Sequence, residues 1–143
     1  MKIKIYQIEN DRDEKRVKFL RFDSLEKFQG SSKVNPEIYD LVYSSDVECK
    51  SLEDVFQMFN IAHPEDFKGH SLSVSDVVEV CEASDVKKGF YFCDSFGFKE
   101  IEFDSSKCKV NERFNKKIEG KIADAKERGD ISEKDITDKE IEL

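Results

Sequence analysis

The sequence predicts an α+β fold: a curved antiparallel sheet of about five strands with one main packed helix, followed by a C-terminal helical tail. Short runs rich in β-branched and aromatic residues recur along the chain without the strict strand-helix alternation that a parallel sheet needs. One segment, residues 52–59, carries apolar residues at helical spacing. The 143 residues are 38% hydrophobic and include twelve phenylalanines, enough for the core of one domain. A half-open barrel is the nearest alternative architecture. The expected division is an α+β domain over residues 1–110 and a charged tail, helical or partly disordered, over residues 111–143.

In Met1 to Ile8 the apolar Met1, Ile3 and Ile5 alternate with Lys2 and Lys4, the period of a strand with one wet face. Glu9 to Arg16 is an almost unbroken charged run and reads as a solvated loop, after which "VKFLRF" (17–22) reads as a second strand. Ser24 is placed to cap the short helix "LEKFQ", which Gly30 ends. A polar connection over 31–36 leads to a third strand in "IYDLVY" (38–43). Leu52, Val55, Phe56 and Phe59 stand at i, i+3, i+4 and i+7, with Ser51 at the N-cap and Asp54 where a capping box holds Glu. Pro64 interrupts regular structure within 60–69. "FYFCDSFGFKEIEF" (90–103) reads as a hairpin: Asp94 and Gly97 take the first and fourth positions favoured in a type I turn, and on the return strand Ile101 and Phe103 alternate with Glu100 and Glu102. From Asn111 on, ten acidic and eight basic residues fall among thirty-three, and Phe114, Ile118, Ile122 and Ala125 form only a thin helical stripe. No internal repeat is visible.

Charge and composition narrow the function classes. A net charge of -8 argues against binding driven by counterion release from phosphates, which requires clustered Lys and Arg. The four cysteines, at 49, 81, 93 and 108, form no CxxC, and His63 and His70 are not spaced as structural zinc ligands are, so neither metal nor cofactor is expected. The N-terminal "MKIKIYQIEN" offers no apolar signal region, and no stretch approaches the ~20 apolar residues that span a bilayer. A cytoplasmic, reducing setting follows as the expectation, with the cysteines as ordinary core residues.

The stretch "GHSLSVSDVVEV" (69–80) holds the chemistry-bearing residues, and three readings of it compete. In a catalytic reading His70 is a base, Ser71, Ser73 or Ser75 a nucleophile, and Asp76 or Asp94 the orienting acid. A nucleophile, however, usually needs an enforced exposed turn such as G-x-S-x-G, and serines alternating with apolar residues lack that activation. In a helical reading Val74, Val77, Val78 and Cys81 match i, i+3, i+4 and i+7, and Ser73 to Asp76 imitates a capping box. The preferred reading places Leu72 and Val74 in the core, makes Ser73 to Asp76 one tight capped turn and starts a strand at Val77, because three valines in four residues favour β structure. Asp76 then accepts backbone N–H groups in the turn, and His70 is a hydrogen-bonded, partly buried imidazole.

Taken together, "IYQI" (5–8), "YDLVY" (39–43), "LEDVFQMFN" (52–60), "HPEDFKGHSLSVSDVV" (63–78) and "YFCDSFGF" (91–98) resemble the YodL-like domain family of bacteria, over about residues 3 to 104. The "GHSLSVSDVV" and "DSFGF" blocks in this order carry most of the specificity; Cys93 stands where an aliphatic residue is expected. The resemblance implies a small domain found on conjugative elements and phage-like islands of Gram-positive bacteria, often as one module of long polypeptides, with no established enzymatic activity. It transfers Gly69, His70, Ser71, Ser73, Asp76, Asp94, Ser95 and Gly97 as motif members without an assigned role. This chain reads as a free-standing domain with a charged tail.

The leading functional expectation is a non-catalytic protein-interaction domain of a bacterial mobile genetic element that binds or inhibits a host or element protein. Direct nucleic-acid binding and membrane insertion are not expected. The candidate binding residues are His70, Ser71, Ser73, Asp76, Asp94, Ser95 and Phe96, the last as an exposed aromatic anchor of the kind interfaces enrich. One alternative is a nucleic-acid mimic inhibiting a host defence nuclease; the interleaving of 32 acidic with 24 basic residues weighs against it. The other is a small enzyme using His70 and Asp76, which requires those side chains to converge at a pocket.

Overall fold

The computed structural model describes residues 1–31, 33–67 and 69–111. The tail expected from Asn111 onward lies, apart from Asn111 itself, outside the described residues. Among the described residues, eight α-helices and strands form: β1 (Lys2–Ile8), α1 (Leu25–Gln29), β2 (Tyr39–Asp46), α2 (Leu52–Ile61), β3 (Val77–Glu82), β4 (Gly89–Asp94), β5 (Gly97–Ile101) and β6 (Lys109–Val110). The architecture is α+β, with one six-stranded sheet in the order β5-β4-β3-β1-β2-β6. Every neighbouring pair is antiparallel except β2 and β6, which run parallel through Asp40 opposite Lys109 and Leu41 opposite Val110. The sheet is therefore mixed, with one strand more than the sequence predicts. A two-residue edge strand carries too little periodicity to be read locally.

β1 is central, and this overturns the expectation of a wet face. Ile3 and Ile5 join one core cluster with Val55, Phe59, Leu72, Val78 and Val80. Tyr6 and Ile8 join a second, on the opposite face, with Val17, Leu25, Tyr39, Val77 and Phe92. Lys4 itself is only 9% exposed. Alternation along a strand says which residues share a face, but the tertiary partners decide whether the second face meets water. A bulge in the β1–β2 ladder puts Ile5 opposite Tyr43 and Tyr6 opposite Leu41, leaving Val42 as the extra residue. Val42 and Tyr43 consequently both reach the first cluster.

α2 covers the first face as its spacing predicts. Leu52, Val55 and Phe59 are buried, and Ser51 Oγ accepts the N–H of Asp54 at 3.1 Å. Asp54 reaches back to the N–H of Lys50 at 3.0 Å, one residue earlier than a capping box would. Val55 and Phe59 are wholly shielded, and each contributes about 1.5–3 kcal/mol by leaving water. Around them the rings of Tyr43, Phe59 and Phe67 meet edge to face at 4.9–5.5 Å.

The second face is covered by the chain between β1 and β2. Val17–Phe22, expected as a strand, is irregular: Arg16 and Phe19 have φ of 52° and 71°, values no strand residue adopts. Val17 is buried, and Leu20 and Phe22 pack against the second cluster, so the apolar run in "VKFLRF" marks burial without sheet pairing. Ser24 stands at the start of α1 without a side-chain cap, whereas Gly30 ends the helix in the left-handed region (φ 80°) as expected. Arg12 closes this layer, with Nε donating to Glu37 O at 3.0 Å and Nη2 to Tyr39 O at 3.1 Å and Asp40 Oδ1 at 2.5 Å.

Candidate functional site

The 69–76 segment forms an extended entry and a tight turn before β3, as the preferred sequence reading has it. The turn closes through Asp76 N–H to Ser73 O at 3.0 Å, and Ser73 N–H donates to Asp76 Oδ2 at 2.8 Å. Leu72 is buried as expected, while Val74 is half-buried. What holds the segment to the sheet is a residue from 63 positions away, Gln7 of β1. Its Oε1 accepts the N–H of His70 at 3.2 Å; its Nε2 donates to His70 O at 2.8 Å and to Asp76 Oδ2 at 3.1 Å. Gln7 thus pairs with the loop as a neighbouring strand would, in a site where it is only 3% exposed.

Gly69 follows from that approach. A Cβ built there would lie 2.4 Å from Gln7 Oε1 and 2.9 Å from Phe67 Cζ, so the motif glycine serves close packing.

Ser75 is also completely buried, and its three polar groups join three segments. Its N–H donates to Cys93 O at 2.8 Å, its O accepts Tyr39 OH at 2.5 Å, and its Oγ accepts the N–H of Phe19 at 2.9 Å. Ser75 takes a φ of 85°, a conformation that costs a non-glycine residue about 1–2 kcal/mol and persists because those bonds over-determine it.

Asp94 does for the second motif what Ser75 does for the first. Its Oδ1 accepts Ser95 N–H at 2.9 Å and Phe22 N–H at 3.1 Å. Asp94 pairs with Gly97 across a two-residue turn whose positive φ falls only at Gly97 (86°), which excludes the mirror-image turn types. At its tip Phe96 is 95% exposed.

Both motif side chains therefore end on the same irregular segment, residues 13–22. Within it Asp13 accepts the N–H groups of Val17 at 2.9 Å and Lys18 at 3.0 Å. The product is an aromatic ring held in solvent: Phe19 is 57% exposed, meets the His70 ring edge-on at 5.7 Å and lies under Lys18 Nζ at 5.2 Å. Because Ser75 pairs with Cys93 and Asp94 follows, Phe19 and Phe96 both stand at the end of the sheet where β3 begins and β4 turns.

The catalytic groups of the alternative reading are placed as follows. His70 Nδ1 lies 2.7 Å from Ser71 O, which requires that nitrogen to carry the proton; the Gln7 amide nitrogen 3.3 Å away is then a second donor and no partner. His70 Nε2 faces Asp76 Oδ1 at 3.9 Å, and both atoms are buried without a hydrogen-bond partner. Burial lowers the His70 pKa, opposed by the bond to Ser71, and raises that of Asp76 far above the usual carboxylate range, opposed by the Ser73 and Gln7 donors. The Ser73 hydroxyl donates to Ser71 O, the Ser75 hydroxyl is bonded to Phe19 N–H, and Asp94 lies across the segment at Phe22. The structure thus brings His70 to Asp76 and leaves Asp94 with a separate task. Sequence reasoning missed Gln7 and Phe19 and weighed Ser75 only as a candidate nucleophile; the one available signal was a glutamine at position 7, in the alternating set that Ile3 and Ile5 make apolar.

Among the described residues no group of three or more His, Cys, Asp or Glu side chains could hold a metal ion, and no helix is long and apolar enough to cross a membrane. The four cysteines are free thiols. Burial pushes Cys93 and Cys108 up to about 12 and Cys81 up to about 11.

Comparison with known proteins agrees with the motif placement. No curated protein and no solved structure matches the chain. The model of one family, the YodL-like domain, matches residues 2–103, a span that starts at the first residue of β1 and takes in both motif blocks. Over that span, which holds Gln7, the 13–22 segment, the turn at Ser73 to Asp76 and the Asp94 hairpin, the chain belongs to the YodL-like domain family.

Proposed function

We propose that this chain is a non-catalytic protein-interaction domain of a bacterial mobile genetic element, acting in the cytoplasm on a host or element protein. Its binding face is the end of the sheet that displays Phe19 and Phe96. The observation that carries the reading is how the motif side chains are used: Ser75 and Asp94 each spend a side-chain acceptor on a backbone N–H of the segment that presents Phe19, and Asp94 also ties the turn that presents Phe96. Holding a bulky residue at φ 71° with more than half of its surface in water brings little burial in return, which favours a role at a partner's surface. Rigidly mounted aromatic rings are the anchors that contribute most at protein interfaces.

Capture from lysate of the native host tests this, with Phe19→Ala, Phe96→Ala and the double variant compared with Phe28→Ala, a change at an exposed ring on α1. Loss of either anchor should lower recovery of the same partner by about tenfold, the equivalent of ~1.4 kcal/mol. Undiminished recovery by the folded double variant would remove this face from the interaction.

A further inference from the structure

The two oxygens of the Asp76 carboxyl are used unequally. Oδ2 accepts two hydrogen bonds, from Ser73 N–H at 2.8 Å and Gln7 Nε2 at 3.1 Å. Oδ1 accepts none and faces His70 Nε2, which is also unpaired because the ring proton sits on Nδ1 against Ser71 O. A carboxylate there would set two acceptors against each other in a site where the Asp76 side chain has 0% exposure. Such a buried unmade pair destabilises the fold, because neither acceptor recovers the hydrogen bond it had with water. A carboxylic acid instead has one carbonyl oxygen that accepts and one hydroxyl that donates, which is the asymmetry observed.

We propose that Asp76 is a neutral carboxylic acid in the folded protein, with its proton on Oδ1 directed at Nε2 of His70, and that this internal proton latches the 69–76 segment to the sheet. The 3.9 Å gap narrows to a hydrogen bond by about 1 Å of side-chain movement. The groups facing the pair are Gln7 from β1, Tyr39 from β2, Cys93 from β4 and Lys18 from the 13–22 segment. Tyr39 and Cys93 are themselves held neutral by burial, and Lys18 Nζ is bonded to Asn10 Oδ1 at 3.0 Å. Burial raises Asp76 and lowers His70, and both shifts run in the direction that a proton on the carboxyl requires. Since Phe19 meets the His70 ring edge-on, loss of the proton loosens the support of an exposed ring.

The sign follows from linkage. A carboxyl whose folded pKa exceeds its unfolded value of about 3.9 contributes fully below that value, and the contribution is lost as pH rises toward the folded pKa. Within this window folding takes up one proton, so the unfolding constant rises tenfold per pH unit. Asp76→Asn supplies the same pattern without a titration, its carbonyl accepting from Ser73 and Gln7 and its amide donating to His70. Unfolding constants of the full-length wild type and D76N, measured in urea from about pH 5 upward, should show a ratio that climbs tenfold per unit; a flat ratio overturns the proposal. Carboxyl carbon and imidazole nitrogen NMR on the wild type gives a second reading that needs no variant. The expected signals at pH 7 are a protonated Asp76 and a neutral His70 with its proton on Nδ1. A carboxylate at Asp76, or an imidazolium at His70, overturns it.

Discussion

Replacing Gly69 by alanine adds one methyl group, and the structure says where it goes. The new Cβ falls 2.4 Å from Gln7 Oε1, which must retreat by about 1 Å to regain ordinary contact. That retreat breaks the 3.2 Å bond from His70 N–H and strains the two bonds that Gln7 Nε2 makes to His70 O and Asp76 Oδ2. The other neighbour, the Phe67 ring at 2.9 Å, is enclosed by Tyr43 and Phe59 and has little room to yield. Overpacking of this kind costs about 1–3 kcal/mol and one lost hydrogen bond about 1 kcal/mol, so Gly69→Ala should destabilise by about 2–4 kcal/mol. Against a total stability of about 5–15 kcal/mol this is a large fraction, and Tm should fall by about 10 °C or more. Urea unfolding at fixed pH measures it. The combination with Gln7→Ala is the sharper arm: removing the blocking amide should make the double variant at least about 1 kcal/mol more stable than the two single effects predict. A Gly69→Ala protein within about 0.5 kcal/mol of wild type, with additive behaviour in the cycle, would refute the packing argument.

Two further expectations concern the anchors and the thiols. Ser75→Ala and Asp94→Ala each remove an acceptor for the 13–22 segment and should cost about 1–2 kcal/mol. Amide exchange at Phe19 and Phe22 should accelerate while the β1–β3 amides stay protected; unchanged exchange at those two positions would contradict the assigned tethers. Cys93, at a pKa of about 12, holds only about one thiolate in ten thousand at pH 8. Alkylation of Cys93 should therefore track unfolding in a denaturant series, and rapid labelling of the folded protein would show that β4 opens locally.

Much of the site could be read from the residues because it is local. The Ser73–Asp76 turn, the strand entry at Val77, the hairpin closing at Asp94 and Gly97 and the α2 helix all follow from spacings of a few residues, and each forms. The sequence pairs His70 and Asp76 only in the enzyme alternative, and the structure sets them face to face at 3.9 Å. Gln7 was not named, since nothing in "IYQI" says that its amide would meet backbone 63 residues further on. "VKFLRF" misled for a related reason. Its apolar residues are those of a strand, but with β1 paired on both sides by β2 and β3, the run packs on the sheet face through Val17, Leu20 and Phe22.

By itself the sequence determined what short-range sterics and hydrogen bonding decide: helix spacing, capped turns, strand alternation and a family motif recognisable by residue type. Only the tertiary structure decided which strand is central, which face stays dry, and that Ser75 and Asp94 present Phe19 through bonds to backbone 56 and 72 residues away. The physical reason is that a backbone N–H is the same donor in every residue. Where its partner lies is set by how the chain closes on itself, and local periodicity carries no record of that closure.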